Sequence, residues 1–136
     1  MEQYGKRGLF GCVPLGRACD AADIGRTPGT YALPTGDQWD YACKGTRQSG
    51  IATESLGPYG WTSENSQQRP HAVRTKRPNR LGIYDMHGNV HELCVPETRG
   101  GGWKTMAALC GADRLSSYGR HDGPSDDVGF RVIVGL

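Results

Sequence analysis

Long apolar runs are absent from this 136-residue chain. That excludes a membrane-spanning helix, which needs about 20 consecutive apolar residues. Large apolar side chains are scarce as well: hydrophobic residues make up 36%, aromatics 8%, with two Phe and three Trp. A single domain of this length must then rest on a few large anchors (Trp39, Trp61 and Trp103) and on satisfied backbone groups. No strong charge of one sign is present. A formal net charge of +2 is too small to argue for nucleic acid or an anionic membrane as partner, and neither is expected. The start, Met1-Glu2-Gln3-Tyr4-Gly5-Lys6-Arg7, is not followed by an apolar stretch of secretory length. The expectation is therefore an intracellular chain, or one in a particle assembled in the cytoplasm. Zinc spacing is missing too. The five cysteines, Cys12, Cys19, Cys43, Cys94 and Cys110, form no CxxC pair. Their odd number leaves at least one unpaired within a monomer. Buried reduced thiols are expected, with Cys12–Cys19 the pair to check for a disulfide.

What the chain has is glycine, 21 of 136 residues, about twice the usual share. Such a sequence predicts turns and ordered irregular segments. A short strand is expected near Gly8–Val13. The clearest element is a helix from Thr35 to Lys44. Thr35 and Gln38 make a capping box, Trp39 and Cys43 share a face, and Gly45 stops the helix. Residues 45–80 read as a long loop, with His71-Ala72-Val73 as a short strand; a loop of this length is usually functional or pinned by special contacts. Leu93 is expected to begin a strand, Arg99–Trp103 to be strand-like but broken by glycines, and 104–127 to be loop. Val128–Val134 reads as one strand, alternating Val128, Phe130, Val132 and Val134 on one face. Pattern alone gives a loop-rich α+β domain.

Three blocks carry more information. The first is Leu33-Pro34-Thr35 with Trp39 and Tyr41-Ala42-Cys43. The second is Leu81-Gly82-Ile83-Tyr84-Asp85-Met86-His87-Gly88-Asn89-Val90-His91-Glu92. The third is Arg99-Gly100-Gly101-Gly102-Trp103, closed by Val128-Gly129-Phe130-Arg131-Val132. Their order and spacing resemble the formylglycine-generating-enzyme (sulfatase-modifying factor) family over roughly residues 31–133. The resemblance implies an α+β, C-type-lectin-like fold of the formylglycine-generating-enzyme type: a small twisted antiparallel sheet, one or two helices and long ordered loops. It implies one domain over 1–136, with 1–30 a reduced N-terminal segment and 104–127 candidate variable loops.

The same resemblance frames the chemistry. Family enzymes hold Cu(I) between two cysteines that follow the Arg-Gly-Gly block, and soft thiolates suit that ion. Here the second position is Cys110 and the first is Thr105, whose hydroxyl cannot replace a thiolate, so no copper is expected. An iron-dependent branch takes its ligands from an additional helical domain for which this chain has no room. His71, His87, His91 and His121 make no facial triad; His87 and His91 are separated by Gly88-Asn89, which argues against a helical i, i+4 pair. His87 is read as a surface residue. Asp85, Gly88, Val90 and Glu92 match a calcium-binding turn of the family, two carboxylates flanking two carbonyls, as hard calcium prefers. Structural calcium is therefore the one cofactor expected. Against it stands the plainer reading in which Asp85 caps a turn and Glu92 makes a salt bridge. Trp39, Trp103 and Phe130 are expected in the core. Arg99, Arg114 and Arg131 are expected to hold loops, with Asp113, Asp126 and Asp127 as acceptors. The basic run from Arg69 to Arg80, with Lys76 and Arg77, suggests anions weakly.

Departures from the family, His91-Glu92-Leu93 in place of Trp-Glu-Trp and Ala32 before Leu-Pro-Thr, point to a reduced, non-catalytic domain. Such domains include the variable proteins of diversity-generating retroelements, whose adenine-directed mutation diversifies a C-terminal lectin-like ligand surface. Randomised Asn codons cannot yield Lys, Met, Trp, Gln or Glu, and none of these occurs from Ala107 to Val128. The leading expectation is a ligand-binding protein from a phage or microbe with a protein or surface ligand. Its candidate surface is Thr105, Ala107, Leu109, Leu115, Ser116, Ser117, Tyr118, Arg120, His121 and Asp122, a mixture of adaptable polar groups with an aromatic and aliphatics. The alternatives are a copper-dependent formylglycine-generating oxidoreductase, or a fragment of one, and a structural domain of a phage tail or surface protein.

Overall fold

Thr35 starts the helix for local reasons. In the computed structural model, which describes residues 13–14, 31–45, 50–112, 115–118 and 125–134, its Oγ1 accepts from Gln38 N at 3.2 Å and its own N–H donates to Gln38 Oε1 at 2.9 Å. That reciprocal cap satisfies two N–H groups left open by the first turn of α1, Gly36–Lys44. Asp37 in the first turn and Lys44 in the last complement the helix dipole. Gly45 ends the helix in the left-handed conformation at φ 59°, its N–H returning to Tyr41 O. The face so fixed buries Trp39, Ala42 and Cys43 against Ile83, Met86, Cys94 and Ala112.

The strands are short. In chain order they are β1 Val13–Pro14, β2 Tyr31–Ala32, β3 Gly60–Trp61, β4 His87–Gly88 and β5 His91–Leu93. There follow β6 Glu97–Arg99, β7 Leu115–Tyr118, β8 Val128–Phe130 and β9 Ile133–Val134. Five of them form one sheet in the order β1-β8-β5-β6-β7. Its β5–β8 pair is parallel, His91 opposite Val128 and Leu93 opposite Phe130, while the other pairs are antiparallel. The sheet is mixed, where an antiparallel one was expected. β2 pairs with β9 antiparallel, and β3 with β4 parallel.

Several sequence expectations shift. The Val128–Val134 run is two strands, because Arg131 turns inward to meet Glu92 and breaks the alternation. The glycines of the Arg99 block follow β6 rather than interrupt it, and Leu93 ends β5 rather than beginning a strand. The stretch 104–127 is not all loop: it contains a single turn of 3₁₀ helix, η2, at Ala107–Leu109, and the edge strand β7. Within 45–80 a 3₁₀ turn, η1, lies at Thr53–Ser55, and 71–73 form no strand. Instead the Asn89 side chain holds His71 at both main-chain groups, N to Oδ1 at 2.9 Å and Nδ2 to O at 3.1 Å. The His71 ring stacks on Trp61 at 3.7 Å. These contacts pin the long loop. Of the predicted strand near Gly8–Val13 only Val13 lies within the described residues.

Buried charge joins the blocks. Glu92 and Arg131 are both buried and paired in bidentate fashion: Arg131 Nε donates to Glu92 Oε2 at 2.5 Å and Arg131 Nη2 to Glu92 Oε1. Trp39 Nε1 donates to Glu92 Oε2 at 2.6 Å. One carboxylate thus ties α1, β5 and the closing block together. Arg99 bridges Glu97 and Asp40, linking β6 to the helix. The acceptors for the buried arginines are therefore Glu92, Glu97 and Asp40, where Asp126 and Asp127 were expected; Asp126 instead pairs with exposed Lys104. Arg114 and Asp113 lie outside the described residues. Trp39 is fully buried, but Trp103 and Phe130 are only half-buried, so the core is narrower than predicted.

Candidate functional site

The glycine block after β6 sets up the site. Gly100 and Gly101 take φ of 88° and 69°, a region that L side chains rarely adopt. The turn brings three side chains together. A Cβ placed on Gly101 would stand 2.5 Å from Cys110 Sγ and 3.2 Å from Thr105 Cγ2. Thr105 and Cys110 therefore face the same glycine, at the two positions where the family resemblance puts a thiolate pair. Thr105 Oγ1 accepts from Gly102 N at 3.0 Å and lies 3.3 Å from His91 Nε2. Thr105 N donates to Gly102 O at 2.9 Å, so the threonine closes its own turn.

Cys110 is fully buried and donates to Met106 O at 3.4 Å. Burial pushes its thiol up to about 12, so it is neutral at physiological pH. The Thr105 hydroxyl does not supply the second thiolate of a two-thiolate Cu(I) site. Cys43 and Cys94 are also free, buried and shifted upward by burial, which is the reduced, structural role expected of them. Cys12 and Cys19 lie outside the described residues. His87 is buried, not a surface residue: its Nδ1 lies 2.7 Å from Cys110 O and its Nε2 3.7 Å from Cys43 Sγ. Burial also lowers its pKa.

Next to this cluster, η2 is held from outside. Both oxygens of Glu64 accept from Ala107 N at 3.1 Å, and Ser63 N donates to Thr105 O at 2.9 Å. The Thr62 hydroxyl and then the Ala107 N–H hold the Glu64 carboxyl below its ordinary value. Met106 and Leu109 project to solvent, 56% and 45% exposed. Nothing in the sequence around Glu64 signals this anchor, because its partner is 43 residues away.

The predicted ligand residues divide accordingly. Ala107 and Leu109 present on η2, while Thr105 is half-buried and committed to its turn. Leu115, Ser116, Ser117 and Tyr118 form β7 at one edge of the sheet. Arg120, His121 and Asp122 lie outside the described residues.

The predicted calcium turn is built around positive-φ residues, Asp85 at 58°, Gly88 at 74° and Asn89 at 66°. Gly88 is required: a Cβ there would meet Trp61 O at 2.1 Å, across the β3–β4 pair. Glu92, however, already has the Arg131 guanidinium as its cation. Asp85 Oδ2 accepts from Arg74 N at 2.7 Å, and Oδ1 is buried with no hydrogen-bond partner. Burial raises the Asp85 pKa. With Glu92 committed, the donors left for a calcium ion would be Asp85 and the carbonyls of Gly88 and Val90. Among the described residues no group of three or more His, Cys, Asp or Glu side chains is placed to hold a metal.

Comparison with known proteins gives the family and the fold. The family model for the sulfatase-modifying factor enzyme 1-like domain matches residues 12–136. The chain belongs to that family. Its C-type-lectin-like fold is shared with Treponema denticola variable protein 1, at 26% identity and a TM-score of 0.73, covering 91% of this chain and 55% of that one. CarF matches in fold at 20% identity, TM-score 0.68, over 89% of this chain and 56% of its own. PvdO from Pseudomonas aeruginosa matches at 17% identity, TM-score 0.65, over 79% and 54%. Among curated proteins, chaperone protein LppX of Paenibacillus barcinonensis is 32% identical over 139 residues, 76% of this chain. The chain spans about half (49%) of that relative's length. Among the described residues no helix is long and apolar enough to cross a membrane.

Proposed function

We propose that this member of the sulfatase-modifying-factor family is a non-catalytic ligand-binding domain, a retroelement-diversified variable protein whose 104–127 region carries the binding surface. The observation that carries the reading is Thr105. It stands opposite Cys110 across Gly101, where a copper-binding relative would need a second thiolate, and its hydroxyl is used to close a turn. The likeness to a variable protein from Treponema denticola supports the binding role. So does the form of η2, whose first N–H is held by the exposed Glu64 carboxylate and which leaves Met106 and Leu109 exposed. Such a rigid base with exchangeable outward side chains suits a surface whose specificity changes while the fold stays fixed.

The test is aerobic incubation with a cysteine-containing sulfatase-type peptide and Cu(I), read by mass spectrometry, together with inspection of the encoding locus. The reading expects no aldehyde product above a no-protein control, and a neighbouring reverse transcriptase with an adenine-rich template repeat. Conversion of the peptide would overturn it.

A further inference from the structure

A concave site lies between the end of α1, the η1 turn and the Pro78–Arg80 loop. It is a cleft of about 350 Å³ whose walls include Lys44, Ile51, Ser55, Tyr59, Pro78 and Arg80. That volume is at the lower end of the range for small-molecule sites. Among the described residues its lining includes two cationic side chains, Lys44 and Arg80, and no acidic one. An adjoining crevice shares Ile51, Tyr59 and Asn79 with the cleft and is lined by Arg77 and Asp85, one charge of each sign. Of the cations in the basic run, Arg80 alone lines the cleft, and it is exposed.

The cleft is built, not incidental. Asn79 Nδ2 donates to Ala42 O at 2.6 Å and Cys43 O at 3.3 Å, two carbonyls at the open end of α1. Asn79 Oδ1 accepts from Leu81 N at 2.9 Å and Ile83 N at 3.1 Å. The side chain therefore clamps the loop to the helix end. It also caps acceptors whose partial negative charge would repel an anion. Gly45, in the left-handed conformation at φ 59°, turns the chain out of α1 beside Arg80 N. Opposite the cations, Ile51, Tyr59 and Pro78 offer half-buried, largely apolar surface.

We propose that this cleft binds a small organic anion, its oxyanion held by Arg80 with Lys44 and its flat apolar body lying against Ile51, Tyr59 and Pro78. Arg80 is the principal contact, since a guanidinium fork pairs with carboxylate or phosphate in bidentate fashion. Lys44 adds positive field beside it.

The test is titration of the whole chain with phenyl phosphate, benzoate, inorganic phosphate and benzyl alcohol, followed by calorimetry. At least one aromatic anion should saturate a single site, more tightly than inorganic phosphate, and the tighter of the two identifies the oxyanion. Benzyl alcohol should not compete. Arg80→Gln should weaken binding about tenfold or more, as for loss of a charge-assisted hydrogen bond. Lys44→Gln should weaken it by a smaller factor, and Arg69→Gln, an exposed cation that does not line the cleft, should leave it unchanged. Absence of saturable binding by either aromatic anion, equal binding of benzyl alcohol, or an equal loss in Arg69→Gln would overturn the proposal.

Discussion

Glu92→Gln should remove a large part of the domain's stability while barely changing its shape. The substitution keeps the side-chain volume and deletes one charge. It takes from the Arg131 guanidinium, 2% exposed, the carboxylate that pairs with it in bidentate fashion; the carbonyls of Tyr84 at 3.0 Å and Asp85 at 3.5 Å are among its other contacts. Breaking a buried pair by removing one partner costs about 3–5 kcal/mol. Domains of this size have about 5–15 kcal/mol in total. Urea unfolding followed by tryptophan fluorescence would read the loss as a lower midpoint at unchanged slope. Lys104→Gln is the control. It removes an ion pair with Asp126 at 2.8 Å whose side chains are 49% and 68% exposed, and should leave the midpoint almost unchanged. Replacing both partners, Glu92→Leu with Arg131→Met, should recover much of the loss, because no charge is then left buried alone. A Glu92→Gln variant no less stable than the Lys104→Gln control would refute the claim that this pair joins the blocks.

The same pairing bears on calcium. Because Arg131 already neutralises Glu92, adding calcium in place of chelator should leave the melting temperature unchanged. A filled site at a hundredfold excess over Kd would add about 2.7 kcal/mol, and a rise of that kind, abolished by Asp85→Asn, would show calcium bound at the Asp85 turn. Gly101→Ala should cost about 1–3 kcal/mol from its backbone conformation alone, and more from the Cys110 sulfur 2.5 Å from the new methyl; adding Cys110→Ala should return part of the loss in the same melts. Trp39→Ala should cost about 3–5 kcal/mol, clearly more than Trp103→Ala, since only Trp39 is fully buried. Glu64 gives a pH signature. Its pKa is lower in the folded state, so its contribution is present above the ordinary carboxylate value and is lost as pH falls through the folded value. Amide exchange at Ala107, corrected for intrinsic rates, should accelerate selectively in that acid window, and Glu64→Gln should flatten the response.

How much of this was legible in the sequence follows from how local each cause is. α1 was readable end to end because its cap, buried face and stop all lie within Thr35–Gly45. The reduced cysteines were readable from composition. β7 was not, because its pairing with β6 sets it, Thr98 opposite Ser117 across a stretch with no apolar alternation. The Val128–Val134 run looked continuous because nothing next to Arg131 reveals that its partner is Glu92, 39 residues earlier. His71–Val73 had strand-like residues, but the Asn89 amide holds His71 in place of a neighbouring strand. In the site, the Thr105 substitution was visible from spacing to the Arg-Gly-Gly block. Its contacts with Gly102 and His91, and the Glu64 anchor of η2, depend on long-range folding and carried no sequence signal.

The central claim, a fixed scaffold presenting a changeable surface, is tested most directly by a library. Met106, Ala108, Leu109, Ser116 and Ser117 are randomised together and sorted for soluble display, beside a matched library at Gly101, Cys110, Glu92, Arg131 and Trp39. In the first set Met106, Ala108 and Leu109 are exposed, where surface substitutions cost about 0.5 kcal/mol or less, and Ser116 and Ser117 belong to the edge strand. The second is buried and interlocked. The account predicts that most members of the first library display at wild-type levels while the second is nearly emptied. Equal loss from both libraries would contradict it.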